Sequence, residues 1–225
     1  AIDAWIVSAR NYGLQPPILL HAREEIGKQT AEYVASQGYP VHWCHIASVT
    51  EVAAAKRLTK QYPEFYTGGV TSHHLTMTGR NADFQQGWNG ARMQPTLGSE
   101  VDAEALLTAY NDSDIQILET DHAPHTNSDK YRAEAENPEG KTDVDCTTCF
   151  GISGIEFVLP VMVSLVQRNK VTLERLVDSL YDRPARMLRI NTRQDTAKTH
   201  LEIAPRVLGE SDNVGMSRNH PYLGW

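Results

Sequence analysis

Three short apolar segments of this chain each run into a side chain that can bind a metal ion. Pro17-Ile18-Leu19-Leu20 meets His21, Val41-His42-Trp43-Cys44 meets His45, and the stretch from Ile115 to Glu119 leads to Asp121. The first two are followed by helical patterns over 25–37 and 49–61. Strand, polar residue at the strand end, then helix is the βα rhythm of a parallel barrel or a doubly wound sheet. In such folds the chemistry lies where the parallel strands end, so a carboxylate just past a buried strand is placed to bind an ion or to move a proton.

The run Leu118-Glu119-Thr120-Asp121-His122-Ala123-Pro124-His125 delivers an acid and two imidazoles into one short turn stiffened by Pro124. A solvated Asp opening a loop, with His122 and His125 as ordinary polar neighbours, is the competing reading of this run alone. The strand-end histidines His21 and His45 weigh against it. Imidazole and carboxylate together suit zinc and other divalent first-row metals, and the wide spacing excludes a zinc finger, whose ligands come in short paired clusters.

The rest of the chain reads as one domain without internal repeats. Helix is expected over 2–12, strand over 65–70, helix over 100–111 and strand over 115–119. A long loop at 78–99, rich in Gly and Asn, contains Arg92-Met93-Gln94-Pro95, and loops of that length in compact domains are usually functional or disordered. A charged insertion fills 127–148. An apolar helix over 154–167 should kink at Pro160, and Thr172 should cap a helix running through Leu180. The net charge is −7, with no basic stripe and no interleaving of aromatic and basic residues, which argues against nucleic acid as a partner. No apolar run approaches a membrane span, so the chain reads as soluble and cytoplasmic. Three cysteines make no disulfide framework. Cys146-Thr147-Thr148-Cys149 is a lone pair without the second pair that a zinc site needs, and Cys44 reads as a small buried side chain, with an accessory metal contact as the alternative.

Taken in order, His21-Ala22-Arg23-Glu24, Cys44-His45-Ile46-Ala47-Ser48, Val70-Thr71-Ser72-His73-His74-Leu75, Thr120-Asp121-His122-Ala123-Pro124-His125-Thr126, Phe150-Gly151-Ile152-Ser153-Gly154-Ile155-Glu156 and the tail Ser217 to Trp225 resemble the C-terminal part of a dihydroorotase, a cyclic amidohydrolase of pyrimidine synthesis. The resemblance implies the C-terminal half of a TIM-type (β/α)8 barrel over 1–200, strands five to eight with their helices, and a tail at 201–225 joining a small β domain. It implies a two-metal zinc centre in which His21 and His45 bind one ion and Asp121 the other. Asp121 would also be the catalytic proton carrier. His125, Gln94, and the backbone of Phe150 and Gly151 would hold the substrate. His73 and His74 read as hydrogen-bonding barrel residues rather than ligands.

Some family features do not appear. No His-x-His pair occurs in the chain, and Lys28, Lys56, Lys60, Lys130, Lys141, Lys170 and Lys198 fall in helical or loop patterns rather than at strand ends. Gln94 stands where relatives carry Asn or Arg, with Arg92 a possible substitute, Gly69 stands where they carry Glu, and Ser153 replaces an apolar residue or Pro. A full barrel takes about 250 residues before any accessory domain, and this chain has 225 with four strand-end motifs. The expectation is therefore an enzyme that reversibly hydrolyses (S)-dihydroorotate to N-carbamoyl-L-aspartate, present as a half that is inactive alone. Its expected partners are the missing N-terminal half, a second copy in a homo-oligomer, and aspartate transcarbamoylase. Alternatives are a hydantoinase or allantoinase type of hydrolase, or an inactive dihydroorotase-like subunit that stabilises a partner.

Overall fold

A computed structural model describes residues 1–79, 93–126 and 150–190. The expected charged insertion, the Cys146/Cys149 pair, Arg92 and the 201–225 tail lie outside the described residues. Four strands, β1 (Ile18–Leu20), β2 (Val41–Trp43), β3 (Tyr66–Thr71) and β4 (Ile117–Glu119), form one sheet in sequence order, every neighbouring pair parallel. Helices α1 (Ile2–Asn11), α2 (Glu24–Ser36), α3 (Val49–Gln61), α4 (Ser72–Thr76) and α5 (Glu100–Asn111) alternate with them. After β4 come α6 (Ile155–Gln167), α7 (Leu173–Val177) and α8 (Arg183–Met187). A consecutive, all-parallel βα array of this kind is part of a (β/α)8 barrel.

The strands separate two environments by their period of two. On the side facing the helices, Val41, Trp43, Tyr66, Val70 and Leu118 pack against Ala31, Val34 and Ala35 of α2, Ala54, Ala55 and Leu58 of α3, and Leu106 and Tyr110 of α5. The buried α2 positions Gly27, Ala31, Val34 and Ala35 follow helical spacing, which turns one stripe toward the sheet. Each fully buried large apolar side chain contributes roughly 1.5–3 kcal/mol. The other side carries Leu19, His42 and Thr67 in one register row and Glu119 beside Thr71 in another. That face is the concave one, and Leu19 on it is 54% exposed.

The helix starts are chemically marked. Ser48 accepts from the Glu51 N–H, Thr71 from His74, Thr172 from Arg175, and Ser99 forms a reciprocal capping box with Asp102. One expectation needs correction. The helix from Thr172 does not stop at Leu180: a wide π-helical turn, Asp178–Asp182, carries it into α8, where Asp178 pairs with Arg175, Arg183 and Arg186. A single turn of helix, α4, starts directly from β3 in a stretch for which no element was expected, and Thr71 caps it. Pro160 sits inside α6, which continues through it to Gln167.

Candidate metal centre and its cleft

His21 and His45 follow β1 and β2, and their rings meet: His21 Nδ1 lies 2.8 Å from His45 Nε2, with ring centroids 4.8 Å apart. His21 is exposed and His45 is buried, so the pair spans from solvent into the fold. Both line a cleft of about 520 Å³ together with Ala22, Arg23, Glu24, Gln94 and Pro95. Gln94, singled out as a substrate contact, thus opens on the same space as the two imidazoles. Its loop is tied down from below, because His74 Nε2 reaches the Pro95 carbonyl at 3.1 Å while His74 Nδ1 meets Thr71 Oγ1 at 2.7 Å.

Backbone strain collects here. Among the described residues, positive φ at non-glycine positions includes Glu24 (51°), His45 (40°) and Asp121 (43°), all just beyond the C-terminal ends of strands. Such conformations cost about 1–3 kcal/mol each and persist only where the surroundings over-determine them. For His45 the determining contact is Glu119, whose Oε2 accepts the His45 N–H at 2.6 Å. The Trp43 indole donates to the Ala22 carbonyl at 2.6 Å and so fastens the residue next to His21. Gly27 is required beside it, since a Cβ there would come within 2.6 Å of the Trp43 ring.

Asp121 is half-buried beyond β4, and its charge reaches the Cys44 thiol. Its donor atoms do not close with those of His21 and His45 within 4.8 Å of one another. The structure therefore brings the two histidine rings together without closing a tight three-ligand set with the aspartate. His122 Nδ1 accepts the N–H groups of Gly154 (3.1 Å) and Ile155 (3.3 Å) and so caps α6. With its lone pair used, that nitrogen has no proton for Glu156, whose carboxylate stands 3.8 Å away. His125 Nε2 donates to the Phe150 carbonyl at 2.9 Å, which joins two of the expected substrate contacts. Gly151 has φ 128°, and a Cβ on it would lie 2.5 Å from the Ala123 carbonyl oxygen, so only glycine fits.

A third group of residues was not legible as a unit. His42, Cys44 and Glu119 place their donor atoms within 4.8 Å of one another on the concave face. His42 bridges Thr67 Oγ1 at 2.8 Å and Glu119 Oε1 at 2.7 Å. Burial raises the Glu119 carboxyl, but the His42 hydrogen bond and charge and the His45 N–H outweigh it, leaving the group below its ordinary range. Burial, then the Glu119 charge, push the Cys44 thiol far up, so it stays protonated. The signal was strand parity: His42 and Cys44 alternate with Trp43, and Glu119 falls on the same inward face. A Cβ on Gly69 would collide with the Glu119 carboxyl, which occupies the space a larger side chain at 69 would need. His73 differs from its expected role. It is fully buried and neither ring nitrogen has a hydrogen-bond partner. Burial, with His74 and His45 nearby, pushes its pKa well below the ordinary value and keeps it neutral.

The chain is similar to known proteins in both fold and sequence. No family model matches the chain. Among solved structures, a D-hydantoinase from Thermus sp. superposes with a TM-score of 0.62 at 18% identity, over 72% of this chain and 34% of that one. A dihydropyrimidinase from Brevibacillus agri gives 0.60 at 18% identity, over 82% and 40%. The fold is the barrel that these two solved structures share, present in part. In sequence, the chain is similar to dihydroorotases: 31% identical over 196 residues to that of Geobacillus sp. (strain WCH70), covering 84% of this chain and 42% of the relative, and 30% identical over 219 residues to that of Carboxydothermus hydrogenoformans, covering 92% and 45%. The chain thus spans less than half the length of these curated relatives.

Proposed function

We propose that this chain supplies one part of the active site of a metal-dependent cyclic amide hydrolase of the dihydroorotase type, acting reversibly on (S)-dihydroorotate to give N-carbamoyl-L-aspartate. The observation that carries this reading is the convergence of the His21 and His45 ring nitrogens in a cleft shared with Gln94. Two imidazoles facing one another at strand ends fit the nitrogen side of a divalent-metal site, and zinc suits that donor set. A bound ion would polarise an amide carbonyl and lower the pKa of water toward about 7.

The chain's own residues divide the remaining work. His21 and His45 would hold one ion. Asp121, strained and half-buried, would contribute to the second and take and return a proton as general base and acid. His125 and Gln94 would hold the substrate carboxylate, and the backbone of Phe150 and Gly151 would meet the ring amide, where glycine permits close approach. We assign 1–200 to the barrel and 201–225 to a small β domain. Expected partners are the remainder of the barrel, a second copy and aspartate transcarbamoylase, in a cytoplasmic setting. No helix among the described residues is long and apolar enough to cross a membrane.

The test is a substrate panel of dihydroorotate, hydantoin, dihydrouracil and allantoin, run with metal analysis on this chain assembled with the rest of its barrel. Turnover of dihydroorotate above the others supports the reading, and preference for another ring moves the assignment to that hydrolase. Metal-free protein that turns over nothing makes the chain an inactive, stabilising subunit. The 225-residue chain by itself should show no turnover, since two imidazoles on one ion and one carboxylate on the other are too few for a tightly bound catalytic zinc.

A further inference from the structure

Glu51 is a buried acid that takes no part in the roles assigned above. It lies in the first turn of α3, 4% exposed, and both carboxylate oxygens are taken by backbone donors from different loops. Oε1 accepts the Glu24 N–H at 2.7 Å, and Oε2 accepts the Ala47 N–H at 2.8 Å. Glu24 is the first residue of α2 and stands three residues past His21. Ala47 precedes the Ser48 cap of α3 and stands two residues past His45. One carboxylate thus joins the two loops that carry the paired imidazoles, at a point where two helix N-termini meet. First-turn N–H groups lack partners inside their own helix, and the positive ends of both helix dipoles favour a negative charge there. The Glu24 backbone, at φ 51°, is in the strained left-handed region, and the Glu51 contact is one of those that hold it.

We infer that Glu51 is a positioning residue for the His21–His45 pair: it sets the separation of the two loops and so of the two ring nitrogens. The inference extends the metal-site reading above and rests on it only for its ligand. Contacts of this outer kind typically change metal affinity by about 10- to 100-fold when removed.

The experiment compares the wild-type chain with Glu51→Ala, Glu51→Gln and a control, Val158→Ala, which loses buried packing on α6, a helix that packs mainly on α4 and α7. Two readouts are taken: nitrogen–proton NMR correlations of the His21 and His45 rings, and titration with Zn²⁺ alone of each form assembled with the rest of its barrel. In Glu51→Ala the ring nitrogens should lose their mutual hydrogen-bond signature, and Zn²⁺ affinity should fall about 10- to 100-fold. Glu51→Gln keeps the shape but turns an NH₂ toward one backbone N–H, so it should release one loop and fall between. Val158→Ala should lower the melting temperature and leave both readouts unchanged. A folded Glu51→Ala with wild-type ring signals overturns the inference, and so does an equal change in Val158→Ala. If the rings separate while neither wild type nor variant binds Zn²⁺, positioning stands and the metal reading falls. Should neither Glu51 variant fold, amide exchange in the wild-type chain decides: protected Glu24 and Ala47 N–H groups uphold the link, and rapid exchange at either removes it.

Discussion

The two faces of the same four strands obey different rules. Toward the helices, Trp43, Tyr66 and Val70 are each no more than 1% exposed and pack as an apolar layer. Toward the concave side, one residue away along each strand, lie His42, Thr67, Glu119 and the exposed Leu19. Close packing on one face fixes the strands, and that fixed frame lets polar groups on the other face stay charged or strained. Stability and chemistry are thus separated by the pleat itself.

The comparison is tested most severely at Asp121. In the assembled enzyme, Asp121→Asn keeps the shape but removes the charge and basicity, so turnover should fall about 100- to 10,000-fold, with a smaller change in the Michaelis constant and an unchanged melting temperature. Near-normal turnover with metal occupancy intact would make the strand-end acid structural. On the helix side, Trp43→Ala empties a fully buried site and frees the Ala22 carbonyl, at a cost of about 3–5 kcal/mol measured by denaturant unfolding. A loss under about 1 kcal/mol would mean that this face is less tightly packed than described.

Acid should act on the buried polar groups. Burial, partly offset by the Pro95 carbonyl bond, holds His74 down to about 4, against about 6.5 in an unfolded chain. Between those values the unfolded state binds the proton and the folded state does not, so His74 favours folding above about 6.5 and loses that contribution as pH falls toward 4. His73 adds in the same direction. The depressed carboxyl of Glu119 favours folding above the ordinary carboxylate pKa and loses its contribution at still lower pH. Unfolding free energy should therefore decline by up to about 1.4 kcal/mol per pH unit for each such group, and a profile flat from pH 7 to 4 would contradict the burial of both imidazoles. The smallest effect belongs to Leu19→Thr. At 54% exposure the change should stay within about 0.5 kcal/mol in this chain, and a larger loss in the assembled enzyme would show that the rest of the barrel covers it.

Much of the frame was legible because it is periodic. Strand, strand-end histidine and helix recur with the correct spacing, and α2, α3 and α5 begin within a residue of where patterning puts them. The convergence of His21 and His45 followed from their equivalent places in successive βα units. What escaped the sequence depends on contacts between distant residues. Nothing local marks Glu119 as the partner of His42, 77 positions away, or Glu51 as the link between two loops. His73 and His74 look alike in sequence, yet one is bonded on both nitrogens and the other on neither. Only the way α4 leaves β3 decides which ring finds partners.

The indole of Trp43 gives this fold a built-in reporter. It is buried, and its one polar atom is committed to the carbonyl next to His21. Any movement of that loop must lengthen the bond or wet the ring, and either change alters ultraviolet emission. Replacing Trp5 with Phe removes the other indole among the described residues and makes the signal easier to isolate. Ligand entry into the cleft could then be followed in real time by light, without a label.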